Sequence, residues 1–179
     1  MTAIPLRLRI QQGLTDVLKG VTPAHGYQHD LSDFIDKNGE TRTRVFRGRN
    51  IFGSSDPIPM ISILESPHAE PSMQDFPPGA GVNVGPWDLL IQGFVEDDPV
   101  NPTDNAHLLM ADVKLALIRE RQAAYGGNPS PNIFGTGRAV RDIKIGTGVV
   151  RPPDDVSAYA CFWLTLTLTI GENLLDPFA

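Results

Sequence analysis

Residues Ala160–Glu172 read "ACFWLTLTLTIGE". Phe162, Leu164, Leu166, Leu168 and Ile170 fall on one parity, and Thr165, Thr167 and Thr169 on the other. A period of two marks a β-strand with one apolar and one hydroxyl-bearing face. So long and regular a strand needs a sheet to hold it. The threonines keep β geometry through their branched Cβ while their hydroxyls face water or a polar interface. A row of leucines there would leave a sticky exposed sheet.

Working back from that strand, Ala139–Val150 reads as its neighbour, joined through "RPPDD". "PWDLLIQGFVEDD" is a further strand, with Trp87, Leu89, Ile91 and Val95 on one face and Leu90 and Phe94 on the other. "PMISILES" (Pro59–Ser66) is a short, buried strand between prolines. Two shorter strands are expected around Asp30–Asp36 and Arg42–Gly48, with Asn38-Gly39 as a hairpin turn.

Two segments carry helical spacing instead. Leu6, Ile10, Leu14, Val17, Leu18 and Val21 form one stripe, begun at Pro5 and closed by Gly20 and Pro23. Ala106, Leu109, Val113, Ala116 and Leu117 form another, capped by Thr103 or Asp104, with Arg119 and Arg121 expected near its C-terminal end. The order predicts a single α+β domain over residues 1–179: a largely antiparallel sheet flanked by two main helices. Pro67–Gly85, with four prolines and three glycines, reads as an extended loop insertion (67–85).

At 179 residues the chain is long enough for a core without metal or disulfide staples. Its single cysteine, Cys161, excludes an internal disulfide and any multi-cysteine zinc site, and reads as a small buried hydrophobe in the last strand. No apolar run is long enough for a signal peptide or a membrane span, which predicts a protein made in a cytoplasm, with no membrane partner.

The net charge of −6 argues against general nucleic-acid binding. Its distribution is uneven. Lys37–Arg49 holds Lys37, Arg42, Arg44, Arg47 and Arg49 against the single acid Glu40. Pro67–Asn105 holds seven acids, Glu96, Asp97 and Asp98 among them, and no lysine or arginine. Either these are two solvated surfaces, or a positive and a negative patch that meet between copies of the chain.

Candidate chemistry is thin. His25 and His29 have H-x-x-x-H spacing, but they flank Gly26 beyond Pro23 and lack an accompanying glutamate, so a loop is expected. His68 and His107 have no serine or cysteine in nucleophile-like context. "GAGVNVG" (Gly79–Gly85) lacks the Gly-Lys-Ser/Thr of a phosphate loop, and the two "GTG" triplets read as turns. Glu96-Asp97-Asp98 stands just ahead of a helix, where acids are common. No catalytic residue, cofactor or metal is assigned.

The amphipathic first helix, "PMISILES", the unit "WDLLIQGFVEDDPVNPTDNAHLLMADVKLAL", and the closing "AVRDIKIGTG" and "ACFWLTLTLTIGE" together resemble the tail terminator, or tail completion, proteins of long-tailed bacteriophages, the minor tail protein U group. The similarity covers most of the chain outside Pro67–Gly85 and rests on element order and the W-D-L-x-I-x-G strand. It implies a non-enzymatic virion protein, assembled in the host cytoplasm and located at the head-proximal end of the tail. Six copies would form a ring that stops polymerisation of the tail tube protein and offers a face to the head-side connector. Genomic DNA would pass through the lumen without sequence-specific binding. Arg42, Arg44, Arg47, Arg49, Glu96, Asp97 and Asp98 are then the candidate subunit interface. The extended loop departs from the compact members of that family. Two alternatives are another head–tail joining, neck or tail-tube protein, and a small α+β enzyme.

Overall fold

The computed structural model describes residues 3–53, 55–66, 74–75, 79, 81–126, 132–154 and 157–178. In chain order the elements are α1 (Leu6–Lys19), β1 (Phe34–Ile35), β2 (Thr41–Arg42), β3 (Val45–Arg47), β4 (Met60–Glu65), β5 (Gln74–Asp75), β6 (Val82–Val95), α2 (Asp104–Tyr125), β7 (Val140–Ile145), β8 (Val149–Arg151) and β9 (Ala160–Asn173). Two 3-10 turns, Pro23–His25 and Ile133–Gly135, complete them.

The architecture is α+β. The main sheet runs β3-β4-β6-β9-β7, with β5 adding to the far end of β6 and β8 to the start of β9. Every pairing is antiparallel except β3 with β4. A parallel pair needs a crossover, and residues 48–59 supply it. The spine is the β6–β9 pair, in register from Val82↔Asn173 to Val95↔Ala160 without a bulge.

Both helices lie on one face. Leu6, Ile10, Leu14 and Leu18 of α1 and Ala106, Leu109, Val113, Ala116 and Leu117 of α2 pack on Trp87, Leu89 and Ile91 of β6 and on the apolar parity of β9. Leu164, Leu166, Leu168 and Ile170 are fully buried there. Each such side chain contributes about 1.5–3 kcal/mol through removal from water.

Two glycines permit close approaches. A Cβ at Gly93 would stand 2.0 Å from the ring of its cross-strand partner Phe162, and one at Gly13 would stand 2.3 Å from the Phe134 carbonyl oxygen. Gly13 weakens the helical pattern because α1 must pass directly over the Ile133–Gly135 turn. Phe134 holds a left-handed φ of 55° there, and its N–H donates to Glu120 Oε1 (2.7 Å).

Several expected boundaries move. The helix expected over 6–21 stops at Lys19, and Gly20 caps it with αR geometry. The strand expected over 42–48 divides. Thr41–Arg42 closes a small hairpin with Phe34–Ile35, while Val45–Arg47 joins the main sheet, with a Thr43 Oγ1–Val45 N contact at the break. In that hairpin only Gly39 has positive φ, and Asp36 Oδ1 accepts from the Asn38 and Glu40 N–H groups. The strand expected over 139–150 is β7 and β8, divided at Gly146–Gly148, and β9 continues past Ile170 to Asn173. Helix α2 extends to Tyr125, so Arg121 lies a turn before its end.

Most of the loop expected over 67–85 lies outside the described residues. Within it, Gln74–Asp75 pairs with Asn83–Val84, and Val82–Gly85 is strand rather than loop, because β9 runs far enough to pair with it.

Candidate interaction surface

The parity of β9 opposite the core places Cys161, Trp163, Thr165, Thr167 and Thr169 on the sheet's second face. At the β3–β4 side the crossover covers this face. Ser62, fully buried, donates through Oγ to the Arg49 carbonyl, and Phe52 lies against Phe46 (6.1 Å) and Phe94 (5.1 Å between ring centroids). Over β6, β9 and β7, no helix or strand layer among the described residues covers it. Thr165 is exposed, and Thr167 and Thr169 are half-buried.

The neighbours of those threonines are mixed. Thr165 stands opposite Leu90, Thr167 lies between Asp88 and Lys144, and Trp163 lies between Gln92 and Val149. Asp88 Oδ1 is buried without a hydrogen-bond partner among the described residues. The exposed half of this face is thus neither a second core nor a fully polar surface. Polar and apolar groups alternate along rigid, fully paired strands.

The basic segment is engaged within the subunit. Arg42 Nη1 stands 3.9 Å from Asp36. Arg44 lies over the Phe34 ring (4.5 Å) and donates to the Pro59 carbonyl (3.1 Å). Arg47 donates to Thr15 Oγ1 (3.0 Å), which ties β3 to α1. Arg49 donates from Nη2 to both Asp56 oxygens (2.7 and 2.8 Å) and stacks on Phe46 and Phe52. Arg42 and Arg49 keep about two-fifths of their side-chain surface exposed.

Glu96, Asp97 and Asp98 follow the end of β6. Asp98 Oδ1 accepts from the Val100 and Asn101 N–H groups (both 2.8 Å), and these bonds hold its carboxyl below the usual carboxylate range. Glu96 and Asp97 are exposed. Val45, Ile61 and Gly93 share one row across the sheet, so the start of β3 and the acidic exit of β6 lie at the same end. Two strand spacings, roughly 10 Å, separate those backbones. Arg47 is exposed and Arg42 half-buried in the basic segment, and Glu96 and Asp97 are the exposed members of the acidic one.

The histidines do not converge. His25 lies in the Pro23–His25 turn, where Nδ1 contacts the Gly20 carbonyl (2.9 Å). His29 pairs instead with Asp112 (2.8 Å), whose Oδ2 also accepts from the Gln28 and His29 N–H groups (3.0 Å each). Asp112 is 5% exposed and belongs to none of the motifs the sequence offers. The available signal was its place in the apolar stripe of α2, three residues after Leu109 and four before Ala116. An acid there must find buried donors.

His107 is exposed on α2, and His68 lies outside the described residues. Gly79 and Gly81 have positive φ, while residues 82–85 are strand. Cys161 is buried, and burial pushes its thiol above the ordinary value. Among the described residues no group of three His, Cys, Asp or Glu side chains could hold a metal, and no helix is long and apolar enough to cross a membrane. The chain matches no protein-family model, and no curated protein matches it.

Proposed function

We propose that this chain is a tail terminator subunit: a structural virion protein that forms a ring, hexameric by resemblance, on the head-proximal end of a phage tail tube. One ring face stops addition of tube protein, and the other accepts the head-side connector. The function is geometric and involves no bond making or breaking.

The observation that carries this reading is the β6–β9 ribbon. Fourteen residues on each strand pair in unbroken register, giving a plate roughly 45 Å long. One side is closed by both helices. The other presents Thr165, Thr167 and Thr169 beside Trp163 and Leu90. A stiff plate with one mixed face that no helix or strand layer covers among the described residues suits a subunit that works through fixed contacts with neighbours.

Tube protein polymerised with and without this chain, viewed by electron microscopy, tests the proposal. Tubes of limited length with the chain labelled at one end, and label at the head–tail junction of virions, are the expected results. Label along the shaft would make it a tube component. Label on tailless heads would make it a neck protein. Unaltered tubes and unlabelled virions would overturn the reading.

A further inference from the structure

Exposed apolar groups stand at both ends of β9. At its start, a shallow cavity of about 570 Å³ opens on the second face of the sheet. Phe52 and Phe94 wall it on one side and Trp163, 39% exposed, on the other, with Cys161 and Gln92 between. Arg151 stands at its rim with the guanidinium over the Trp163 ring (5.5 Å). Asp154, on the same rim, accepts from the Ser157 N–H through Oδ1 (2.9 Å).

Past the other end of β9 the chain forms a projecting turn. Leu174, Leu175 and Phe178 are 54%, 82% and 50% exposed. The turn is pinned rather than loose. Leu174 N–H donates to the Gly81 carbonyl (2.8 Å), Asp176 N–H to the Asn173 carbonyl (3.2 Å), and the Pro177 carbonyl accepts from Leu6 N–H at the start of α1 (3.0 Å). A prearranged knob of this kind loses little conformational freedom on docking. Asp176 is the only charged residue in Leu174–Phe178, opposite in sign to Arg151.

We propose that the cavity at Cys161–Trp163 receives the Leu174–Phe178 knob of a second copy of this chain, with Asp176 of the knob meeting Arg151 at the rim. This contact rests on the ring-forming role proposed above and names the surfaces that would close the ring. Within one subunit the two surfaces cannot meet. Ten residues of extended strand lie between Trp163 and Leu174, a separation of roughly 35 Å. The contact is therefore between copies and heterologous, so it repeats from subunit to subunit until the rotation closes.

The test mixes two full-length variants, Leu175→Glu with a spoiled knob and Trp163→Glu with a spoiled cavity, after circular dichroism shows that each is folded. In sedimentation velocity the wild-type chain is expected to form closed oligomers, and each variant alone to dissociate at concentrations about thirtyfold higher, as for a central interface residue. Their mixture should give dimers that grow no further, because one intact contact remains. Arg151→Glu with Asp176→Lys in one chain should restore the oligomer that either change weakens.

Cys161 supplies a reading that needs no variant. As the sole cysteine and part of the cavity, it should be alkylated more slowly in the oligomer than in dilute monomer. Rings that survive both glutamate substitutions, unchanged alkylation on assembly, or a wild-type chain monomeric at its highest soluble concentration would each overturn the contact. Rings that survive with capped tubes intact would leave the terminator role standing.

Discussion

Replacing Gly93 by alanine tests the packing that joins the two long strands. The new Cβ would lie 2.0 Å from Phe162 Cε1, 2.6 Å from Cζ and 2.7 Å from Cδ1. Carbon atoms rest at about 3.5–4.0 Å, so the ring must retreat by about 1.5 Å. Phe162 is fully buried in the core and has no solvent to move into. Overpacking of this kind costs about 1–3 kcal/mol. Loss of glycine's freedom in the unfolded chain returns about 0.4–1 kcal/mol. A net loss of about 1–2 kcal/mol corresponds to a fall in Tm of about 2–8 °C for a chain of this length. Thermal unfolding followed by circular dichroism reads it. The same substitution in a Phe162→Leu background should carry little further penalty, giving a coupling of about 1 kcal/mol or more. A Tm for Gly93→Ala within about 1 °C of the parent, or an equal penalty with and without the ring, would refute the reasoning.

Further outcomes follow from the polar contacts. Asp112→Ala leaves the Gln28 and His29 N–H groups without their acceptor, so stability in urea should fall by about 1–3 kcal/mol per stranded donor. Asp112→Asn keeps one carbonyl oxygen and should lose less; equal losses would contradict the role given to the acceptor. Asp33 is held below its ordinary pKa first by the Lys19 hydrogen bond, against the opposing effect of burial. Its contribution to stability is therefore complete above the unfolded value of about 3.9 and lost as pH falls through the lower folded value. Asp33→Asn should flatten that part of the acid-unfolding profile, whereas parallel profiles for parent and variant would exclude it. Arg42→Glu and Asp97→Lys should each weaken self-association, more so at low salt. The 3.9 Å Arg42–Asp36 pair lies near the surface, so the fold should lose less than about 1 kcal/mol. Unchanged sedimentation would remove those segments from the interface.

The parts of the fold legible in the sequence are those whose side chains repeat against one large apolar layer. The stripes of α1 and α2, the "PMISILE" strand and the alternation of β9 are local patterns, and each predicts which residues the structure buries. The fate of Arg42–Gly48 was not legible, because Val45–Arg47 is strand only by virtue of Ile61–Ile63 beside it. Gly146–Gly148 likewise breaks β7 from β8 where Gly146 N–H turns to the Thr165 carbonyl on the neighbouring strand. Of the proposed interface, the sequence supplied the charge segments but not their partners. It placed Arg47 and Arg49 beside Arg42 as equals, while the fold commits Arg47 to Thr15 and Arg49 to Asp56.

By itself, then, the order of amino acids determined the class of element at each strongly periodic stretch, because hydrophobic periodicity is written within a few turns or pleats. Only the folded chain decided that one side of the sheet receives both helices while, among the described residues, no helix or strand layer covers much of the other. It also decided that Asp112 finds its donors 83 and 84 residues away, and that the cavity beside Trp163 and the knob at Leu175 stand at opposite ends of one strand. Those are distances between residues far apart along the chain, and they exist only once loop closure and core packing have brought the sheet together.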